Sequence, residues 1–378
     1  MAEDGLSVKA IYTYPIKSVR GISLPSFSAM YTGFPHDRQF MLYSVAKDKN
    51  MHIAEFTEMC LFTTAFADDP SSASPSKVIV TYTKDHAFDK PDQMVKDDPL
   101  EIDLAPDTQG LDTFEVTMHS SPTTCHDMGA KYNDWFSERF GHQVKLLYIG
   151  ENRRKILGNM PPSVAGKQRD ELNQTAGTAR SGGSWLSSIA SATSSVVGTL
   201  LGTQQYDGED HGLSFADVAP YLVISTKSWE DAQRRLPEGE VMDISKFRPN
   251  IIVQGAKDEY EEDYWAELQI GDQDPGAKFV LTQNCARCNS LNVDYNTGKV
   301  AESEAGKILK KLSSDRRVDP GAKWSPVFGR YGFLAKVPEG KNAAEVKVGD
   351  QVRVVRRNDT RTHFGIYDFP LPNQDLLC

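Results

Sequence analysis

Short apolar segments separated by turn-rich links constrain the fold of this chain more than any other feature of its first half. Residues 7–14 show the pattern clearly, because Val8, Ala10 and Tyr12 alternate with more polar neighbours. Four such segments are predicted as strands, at residues 7–14, 39–44, 77–83 and 114–118. Links rich in Pro, Asp and Ser separate them. Many short strands joined in this way are typical of a sheet-dominated barrel or sandwich.

Helical patterns are few and lie between further strands. Apolar residues recur at helical spacing over residues 128–140, ahead of Gly141, and Asp127 is the predicted N-cap. A second helix is predicted over residues 228–236, with Ser228 as its N-cap. Later strands are predicted at residues 144–149, 221–225, 250–254, 278–282, 331–337 and 350–355. The predicted fold class is therefore α+β, with mostly antiparallel, barrel-like sheets.

A break in composition divides the two halves at residues of about 165–211. Residues 181–206 carry no charge, which predicts an insertion or a linker. On a helical wheel, residues 184–202 place Trp185, Leu200 and other apolar residues opposite Ser, Gly and Thr. This pattern predicts a peripheral contact with a membrane surface. A disordered Ser-rich linker, or a helix folded over the protein's own cleft, explains the same residues.

Charge and cysteine content narrow the function classes. The chain of 378 residues has a net charge of −10 and no basic stripe, so nucleic-acid binding is not expected. Five cysteines at scattered positions do not form a disulfide framework and favour a reducing compartment. The acidic N-terminus carries no apolar run, so a secretory signal, a transit peptide or an N-terminal anchor is not expected. A cytoplasmic protein is the resulting expectation.

Two cysteines three residues apart, Cys285 and Cys288, are the leading candidates for chemistry. Arg287 precedes the second, and a thiolate beside a guanidinium binds soft metals or attacks disulfides. A structural zinc site needs a second pair of ligands, which the sequence lacks. A redox pair is expected early in a βαβ unit, not after a late strand. A single metal-binding thiolate and two buried core cysteines both stay open.

Cations at three predicted strand boundaries are the second chemical signal. Lys17 and Ser18 follow the first strand, Arg38 precedes the second, and Arg248 precedes another. Lysine and arginine side chains that converge bind an anion such as phosphate through charge-assisted hydrogen bonds. Each cation taken alone is equally explained as a solvated turn residue, and their spacing does not show that they converge.

Several fragments in a fixed order resemble one known family. They are residues 14–18 (YPIKS), 36–38 (HDR), 247–251 (FRPNI), 262–268 (EDYWAEL), 270–272 (IGD), 285–288 (CARC), 293–294 (VD), 297–298 (TG), 325–331 (SPVFGRY) and 348–350 (VGD). Together they resemble the MOSC-domain proteins that carry an N-terminal β-barrel domain, and most of all the mitochondrial amidoxime-reducing component family. The resemblance implies an N-terminal barrel domain at 5–150, a MOSC domain at 151–356 that contains the insertion, and a C-terminal tail at 357–378.

The resemblance implies a molybdenum site built on one cysteine. That family binds molybdenum as the pyranopterin (molybdopterin) cofactor, and Cys288 matches the metal ligand and catalytic position. Cys285 is then structural or a close neighbour of the site, and Arg287 is expected to keep the Cys288 thiolate deprotonated. The implied cofactor-binding residues are Lys17, Ser18, Arg38, Asp217, Val218, Ala219, Arg248, Asn250, Ala286, Arg287 and Tyr331.

The resemblance also implies a reaction and partners. The expected reaction is two-electron reduction of small N-hydroxylated compounds, such as amidoximes and hydroxylamines, with nitrite reduction to nitric oxide as a related activity. The family draws its electrons from cytochrome b5 and cytochrome b5 reductase. A carrier of the cofactor or of sulfur without turnover is the alternative, because MOSC domains also occur fused to sulfurases whose pyridoxal phosphate domain is not seen here. Peripheral attachment to an organelle membrane, such as the mitochondrial outer membrane, is the alternative to a cytoplasmic location.

Overall fold

The computed structural model describes residues 5–68, 75–83, 98–157, 211–271, 276–337 and 341–364. Nearly all of the predicted insertion, including the amphipathic stretch at 184–202, lies outside the described residues. Residues 365–378 of the predicted tail lie outside them as well. Among the described residues, no helix is both long and apolar enough to cross a membrane.

Strands are the main regular elements of the described chain. They are β1 (Ser7–Thr13), β2 (Ile22–Leu24), β3 (Ser26–Ala29), β4 (Phe40–Ser44), β5 (Lys49–Asn50), β6 (Phe62–Phe66), β7 (Lys77–Tyr82), β8 (Leu100–Asp103), β9 (Thr113–Met118), β10 (Ser121–Asp127), β11 (Val144–Tyr148), β12 (Tyr221–Ser225), β13 (Ile251–Gln254), β14 (Trp265–Ile270), β15 (Ala277–Ala286), β16 (Val293–Asp294), β17 (Lys299–Val300), β18 (Val327–Lys336), β19 (Ala344–Lys347) and β20 (Val352–Arg357). The α helices are α1 (Ala130–Phe140), α2 (Thr226–Arg234) and α3 (Ile308–Ser313). Short 3-10 helices span Thr57–Leu61, Ile244–Phe247, Glu261–Tyr264, Asn289–Asn292, Glu304–Lys307 and Pro320–Ala322.

Eight strands form the largest sheet, in the order β2-β1-β13-β12-β18-β15-β14-β20. Neighbours run antiparallel except for the parallel pair β12 and β13. The segment before β20 returns to β1, where the Val8 N–H donates to the Asp350 carbonyl at 2.9 Å and the Gly349 N–H donates to the Val8 carbonyl at 2.8 Å. These bonds close the sheet into a barrel. The predicted α+β class with mostly antiparallel, barrel-like sheets is confirmed.

Apolar side chains fill the barrel and cover its outside near β12. Tyr221 and Phe279 are fully buried, and their rings meet edge to face at 5.1 Å. Successive strand residues point to opposite faces, yet every residue of β12 is buried. The reason is α2, because Leu222 and Ile224 on the outer face pack in one cluster with Ala232 of that helix. A strand covered on both faces reads as a continuous apolar run.

Two further sheets and α1 enclose a separate core. The sheets have the orders β5-β4-β11-β10-β9 and β6-β7-β8. Phe62 of β6 lies 5.5 Å from Phe136 and 5.0 Å from Phe140, measured between ring centroids, so both α1 rings pack on this strand. The helix ends at Gly141, as predicted, because that residue takes a left-handed φ of 70° and donates its N–H to Ser137.

Both predicted helix N-caps were wrong by a few residues. Asp127 ends β10, and Gly129 is the N-cap of α1 without a side-chain bond. The Asp127 carboxylate instead accepts from the Gly129 N–H at 2.9 Å, one step outside the helix. In α2 the N-cap is Ser225, whose hydroxyl accepts from the Ser228 N–H at 3.1 Å. Ser228 is thus the donor of the capping bond rather than its acceptor.

Two barrel strands are longer than their apolar patterns predicted, because each contains a buried polar residue. β15 and β18 extend beyond the predicted 278–282 and 331–337 because Asn284 and Arg330, both fully buried, continue them. The Arg330 Nη1 donates to Asn284 Oδ1 at 2.8 Å, and its Nη2 donates to the Leu281 carbonyl at 2.9 Å. A buried polar pair whose members bond each other interrupts the apolar pattern without ending the strand.

Strands from the start of the chain complete the barrel. β1 lies between β2 and β13, and β3 pairs with β19 from the end of the described chain. The loop after β1 meets later loops through backbone bonds. The Arg38 N–H donates to the Tyr14 carbonyl at 2.7 Å, and the Phe215 N–H donates to the Arg38 carbonyl at 2.8 Å. These bonds bring three distant segments to one end of β12, β15 and β18.

Candidate functional site

A pocket lies where these loops meet, and most of the predicted site residues line it. We call it the Cys288 pocket. Its predicted members are Arg38, Asp217, Ala219, Arg248, Asn250, Ala286, Arg287, Cys288 and Tyr331. Its other lining residues are Ala216, Leu222, Phe247, Cys285 and Ser290. Arg38 and Arg248, which stand far apart in the sequence, therefore converge in this pocket.

The two cysteines occupy unequal positions in this pocket. Cys288 is half-buried, directly precedes the 3-10 helix Asn289–Asn292, and places its Sγ 3.3 Å from Ser290 Oγ. Cys285 is only 2% exposed and packs in the apolar cluster beneath α2. Burial raises the pKa of Cys285, although Arg287 and Tyr331 oppose that shift. The accessible thiol is therefore Cys288.

Arg287 hydrogen-bonds Cys285 rather than its sequence neighbour Cys288. Its Nη1 donates to Cys285 Sγ at 2.8 Å, and its Nη2 donates to the Phe247 carbonyl at 2.7 Å. That this guanidinium helps to keep the Cys288 thiolate deprotonated stays a prediction. Arg287 directly follows β15, which ends at Ala286, and its side chain reaches Cys285 near the end of that strand. Cys288 keeps a weaker electrostatic interaction with Arg287.

Two arginines that line the pocket hold buried donors that no described residue satisfies. Arg248 Nη1 donates to the Val19 carbonyl at 2.8 Å, while its Nη2 is buried without a hydrogen-bond partner. The Nε of Arg287 is buried without a partner in the same way. Buried polar groups are nearly always paired in folded proteins, and an exception calls for a ligand or water. An anionic group in the pocket fits both donors.

Arg38 and Arg248 hold their positions against one aromatic ring. The guanidinium carbons lie 4.7 and 4.3 Å from the centroid of the Tyr14 ring. Arg38 also pairs with Asp37 and donates to Asn250 Oδ1 at 3.3 Å. Asn250 is 1% exposed and accepts from the Leu222 N–H as well, so it fixes Arg38 as much as it lines the pocket. Two like charges on one ring are stable together only with such anchoring.

Asp217 is the pocket carboxylate, and it has two cationic or polar partners. Lys17 pairs with it and also donates to the Phe215 carbonyl at 3.2 Å. His119 places Nε2 at 3.4 Å from Asp217 Oδ1. Desolvation favours the protonated acid, but Lys17 and His119 outweigh it and hold the pKa of Asp217 well below its usual range. The carboxylate is therefore ionised at neutral pH.

Three predicted residues do not line the pocket. Lys17 touches it through Asp217, while Ser18 and Val218 are not part of its wall. Ser18 has a positive φ of 64° and is buried behind Lys17. Arg38 and Arg248 share this left-handed conformation, with φ of 51° and 55°. Such backbone is costly for residues other than glycine and concentrates at functional sites.

Sequence reasoning missed two histidines beside the pocket. His119 reaches Asp217 from the turn between β9 and β10. His52 interacts electrostatically with Cys288, Lys17 and Asp217, and burial lowers its pKa. Neither belongs to a motif, so only the fold reveals them. Among the described residues, no group of three or more His, Cys, Asp or Glu side chains is arranged to hold a metal ion.

Comparison with known families matches both halves of the chain. Residues 5–143 match the MOSC N-terminal beta barrel domain, and residues 210–353 match the MOSC domain. The chain is a MOSC-domain protein. The two matches together cover about three quarters of it, and they confirm the resemblance drawn from the ordered fragments.

Relatives of this MOSC protein carry two kinds of name. Mitochondrial amidoxime-reducing component 1 of Homo sapiens is 36% identical over 37% of this chain and 38% of its own length. Molybdenum cofactor sulfurase of Arabidopsis thaliana is 25% identical over 91% of this chain and 35% of its own length. The match thus spans less than two fifths of either relative. A solution structure from Bordetella bronchiseptica covers 32% of this chain and 84% of its own, at 9% identity and a TM-score of 0.21, too low to support an argument.

Proposed function

We propose that this MOSC protein binds the molybdenum cofactor in the Cys288 pocket, with Cys288 as the protein ligand of the metal. The observation that carries the proposal is the donor set around this half-buried thiol. Arg248 and Arg287 each hold a buried N–H without a partner beside it. A soft thiolate suits molybdenum, and fixed guanidinium donors suit the phosphate of the cofactor. The relative named molybdenum cofactor sulfurase supports the choice of cofactor.

The remaining pocket residues suit a cofactor that needs orientation and exclusion of water. Arg38, Arg248 and Arg287 would hold anionic oxygens, while Leu222 and Phe247 form an apolar wall. Asp217 would provide the polar edge that faces the substrate. When bound, the cofactor supplies the two-electron redox chemistry, and the protein supplies position and charge.

The proposed reaction is the reduction of small N-hydroxylated compounds, such as amidoximes and hydroxylamines, with loss of the oxygen as water. Nitrite reduction to nitric oxide is a related proposed activity. We propose cytochrome b5 and cytochrome b5 reductase as the electron source. The relatives named amidoxime-reducing component support this reaction class. The polar, cationic lining also suits a small polar substrate.

Metal content of cysteine variants tests the ligand. Cys288→Ala is expected to lose nearly all molybdenum when it is purified from a cofactor-competent host, because no second thiol replaces the ligand. Cys285→Ala is the matched control, and we expect it to retain most of its metal. Cys125→Ala changes a buried thiol in a different cluster and controls for folding. Loss of metal in Cys285→Ala but not in Cys288→Ala would refute the assignment.

Turnover tests the reaction itself. Benzamidoxime is supplied with NADH, cytochrome b5 and its reductase, and benzamidine is quantified by chromatography. We expect steady reduction by the molybdenum-loaded protein and none by Cys288→Ala. A loaded protein that fails to reduce benzamidoxime even with chemically supplied electrons contradicts the proposed reaction but leaves cofactor binding intact.

A cofactor or sulfur carrier without turnover is the second candidate. The match to molybdenum cofactor sulfurase favours it, because that match spans 91% of this chain whereas the human amidoxime-reducing match spans 37%. A carrier would release its cofactor to a cofactor-free molybdenum enzyme in a mixed incubation. Reactivation of that acceptor, together with absence of benzamidoxime reduction, would decide for the carrier.

The location follows as a further part of the proposal. The amidoxime-reducing relatives are named mitochondrial, which supports peripheral attachment to the mitochondrial outer membrane as an alternative to the cytoplasm. Fractionation of cells that express a tagged full-length chain separates the two. Recovery in the soluble fraction would reject the membrane address.

A further inference from the structure

Protons are the second requirement of the proposed reaction. Removing the oxygen of an N-hydroxyl group consumes two electrons and two protons, so that the N–OH group becomes N–H and water is released. The N–O bond breaks, and its electron pair leaves with the oxygen. The one-electron haem donor proposed above supplies the electrons in two steps. The protons must reach the pocket from solvent through the side chains of the protein.

The side chains that line the Cys288 pocket are poor carriers of protons at neutral pH. Arginine stays protonated in proteins, which removes the three lining guanidinium groups from proton exchange. Burial raises the pKa of Tyr331 well above its usual range, and burial also raises the pKa of Cys285. Asp217 is held ionised by Lys17 and His119. A group that alternates between two protonation states near neutrality must therefore lie next to the lining, not in it.

His119 occupies such a position. It lies in the turn between β9 and β10, where its own φ of 47° and the φ of 63° at Ser120 are both left-handed. Its Nε2 lies 3.4 Å from Asp217 Oδ1, and 27% of its side chain is exposed to solvent. Imidazole is the side chain that normally changes charge between about pH 5 and 8. One ring thus reaches both the pocket carboxylate and the solvent.

We infer that His119 is the side chain that delivers protons to the Cys288 pocket, with Asp217 holding its ring in position. The inference rests on the proposed function. In each transfer Nδ1 of the Nε2–H ring takes up a proton from solvent, and Nε2 then releases its proton toward the substrate held beside Asp217. Proton exchange with solvent returns the ring to the Nε2–H form before the second transfer. One proton converts the departing oxygen to water, and the other completes the N–H bond.

The charges around this contact favour that role. Lys17 pairs with Asp217 from the loop after β1, and Arg154 donates to the Asp217 carbonyl at 3.3 Å from the segment after β11. Both fix the residue that the imidazole contacts. His52 is the rival histidine, but its Nε2 lies 3.6 Å from Glu55 and its Nδ1 is buried without a partner among the described residues. The carboxylate nearest to its ring is therefore that of Glu55, which does not line the pocket.

A single-turnover experiment with chemically reduced, molybdenum-loaded protein tests the inference. In it, the rate of electron delivery by the donor protein does not limit the observed rate. We expect His119→Ala to lower the rate of benzamidoxime reduction about 10²–10⁴-fold, with little change in KM. Added imidazole should restore part of that rate, because a diffusible base replaces a proton carrier but not a structural contact. His142→Ala, at the end of α1 and away from the pocket, is the matched control and should react like wild type.

A second readout needs no metal. Nitrogen NMR of the histidine-labelled, molybdenum-free protein identifies which ring nitrogen of neutral His119 carries hydrogen. We expect the Nε2–H form, because the Asp217 carboxylate accepts from that atom, and loss of this preference in Asp217→Ala. Finding the Nδ1–H form in the wild-type protein would overturn the proposed geometry.

The outcomes separate this inference from the proposed function. If wild type binds molybdenum and reduces benzamidoxime while His119→Ala is fully active, the role of His119 is refuted. The proposed function then still stands. Imidazole rescue confined to His52→Ala would overturn it in favour of the rival histidine. Absence of all turnover in wild type overturns both the proposed reaction and proton delivery to it, whatever the ring tautomer.

Discussion

Arg287 shows how one side chain can serve both the core and a ligand. Its two terminal nitrogens bond Cys285 and the Phe247 carbonyl, and its Nε is the donor without a partner among the described residues. Its guanidinium also lies 5.3 Å from the Phe247 ring centroid. The planar fork of arginine can satisfy several directions at once, which the single ammonium of lysine cannot.

Replacing Arg287 by lysine should weaken both cofactor binding and folding. Arg287→Lys should lower molybdenum content about tenfold, because losing one charge-assisted donor costs about 1.4 kcal/mol of cofactor affinity. It should also lower the free energy of unfolding of the metal-free protein by about 1–3 kcal/mol. Elemental analysis and denaturant unfolding measure the two effects. Arg317→Lys, an exposed change, is the control. Equal metal content in the two variants would contradict the role given to Arg287.

At the scale of elements, Asp127 joins β10, α1 and β11. Its Oδ1 accepts from the Gly129 N–H at 2.9 Å and from Asn133 Nδ2 at 2.7 Å, and the carboxylate pairs with Lys145. Burial alone would raise the pKa of Asp127, but Lys145, Asn133 and Gly129 outweigh it and lower that pKa. The side chain is 8% exposed, so solvent screens the pair weakly.

The pH dependence of this contact is the second prediction. A carboxyl group with a lowered pKa in the folded state stabilises the protein above its ordinary pKa of 3.8, and the stabilisation is lost as pH falls through the lowered value. Asp127→Asn should therefore lower the free energy of unfolding by about 1–2 kcal/mol at pH 7. The difference from wild type should shrink as the pH falls below about 4.

Denaturant unfolding at several pH values measures that difference. Asp134→Asn, an exposed change on the same helix, provides the control and should unfold like wild type throughout. A destabilisation by Asp127→Asn that persists unchanged in acid would show that the charge of Asp127 is not what stabilises this junction.

For the whole molecule, the decisive feature is that the barrel is built from both ends of the described chain. β1 pairs with β13 and carries β2 on its other side, the segment before β20 closes on β1, and β19 pairs with β3. Without β1, strand β13 would present an unpaired edge and the barrel would lose its closure. The site depends on the same arrangement, because the loop after β1 carries Lys17 and the segment before β4 carries Arg38.

Splitting the chain tests this dependence. Residues 211–364 produced alone should be aggregated or unfolded, whereas coexpression with residues 5–157 should give a soluble complex with one thermal transition. Coexpression with residues 30–157, which lack β1 to β3, should fail to rescue it. Copurification and circular dichroism measure the outcome. A folded 211–364 fragment with the melting temperature of the full chain would contradict the shared barrel.

Local patterns predicted part of the fold. The pattern of short apolar segments gave β1, β4, β7 and β9 close to their observed bounds. It shortened β15 and β18, where Asn284 and Arg330 are polar yet fully buried and bonded to each other. It missed β14 as a strand, although Trp265 and Leu268 in it are fully buried.

The sequence predicted most of the residues that line the pocket but not the two histidines beside it. The family resemblance singled out nine residues that the fold brings to the Cys288 pocket, seven of them within the ordered fragments. Val218 and Ser18 were adjacent in sequence to lining or contacting residues but do not form part of the wall. His119 and His52 could not be found, because a contact with Asp217 across about a hundred residues leaves no local pattern.

The sequence by itself determined that strands dominate, that the chain is acidic without a basic stripe, and that Cys288 is accompanied by an arginine and an ordered set of family fragments. These properties depend on residues close in the chain or on composition. Only the tertiary structure decided that Arg287 bonds Cys285, that Lys17 serves Asp217, and that His119 reaches the pocket. Those relations depend on which strand face a side chain occupies and on which loops the closed barrel brings together, and both are fixed by long-range pairing.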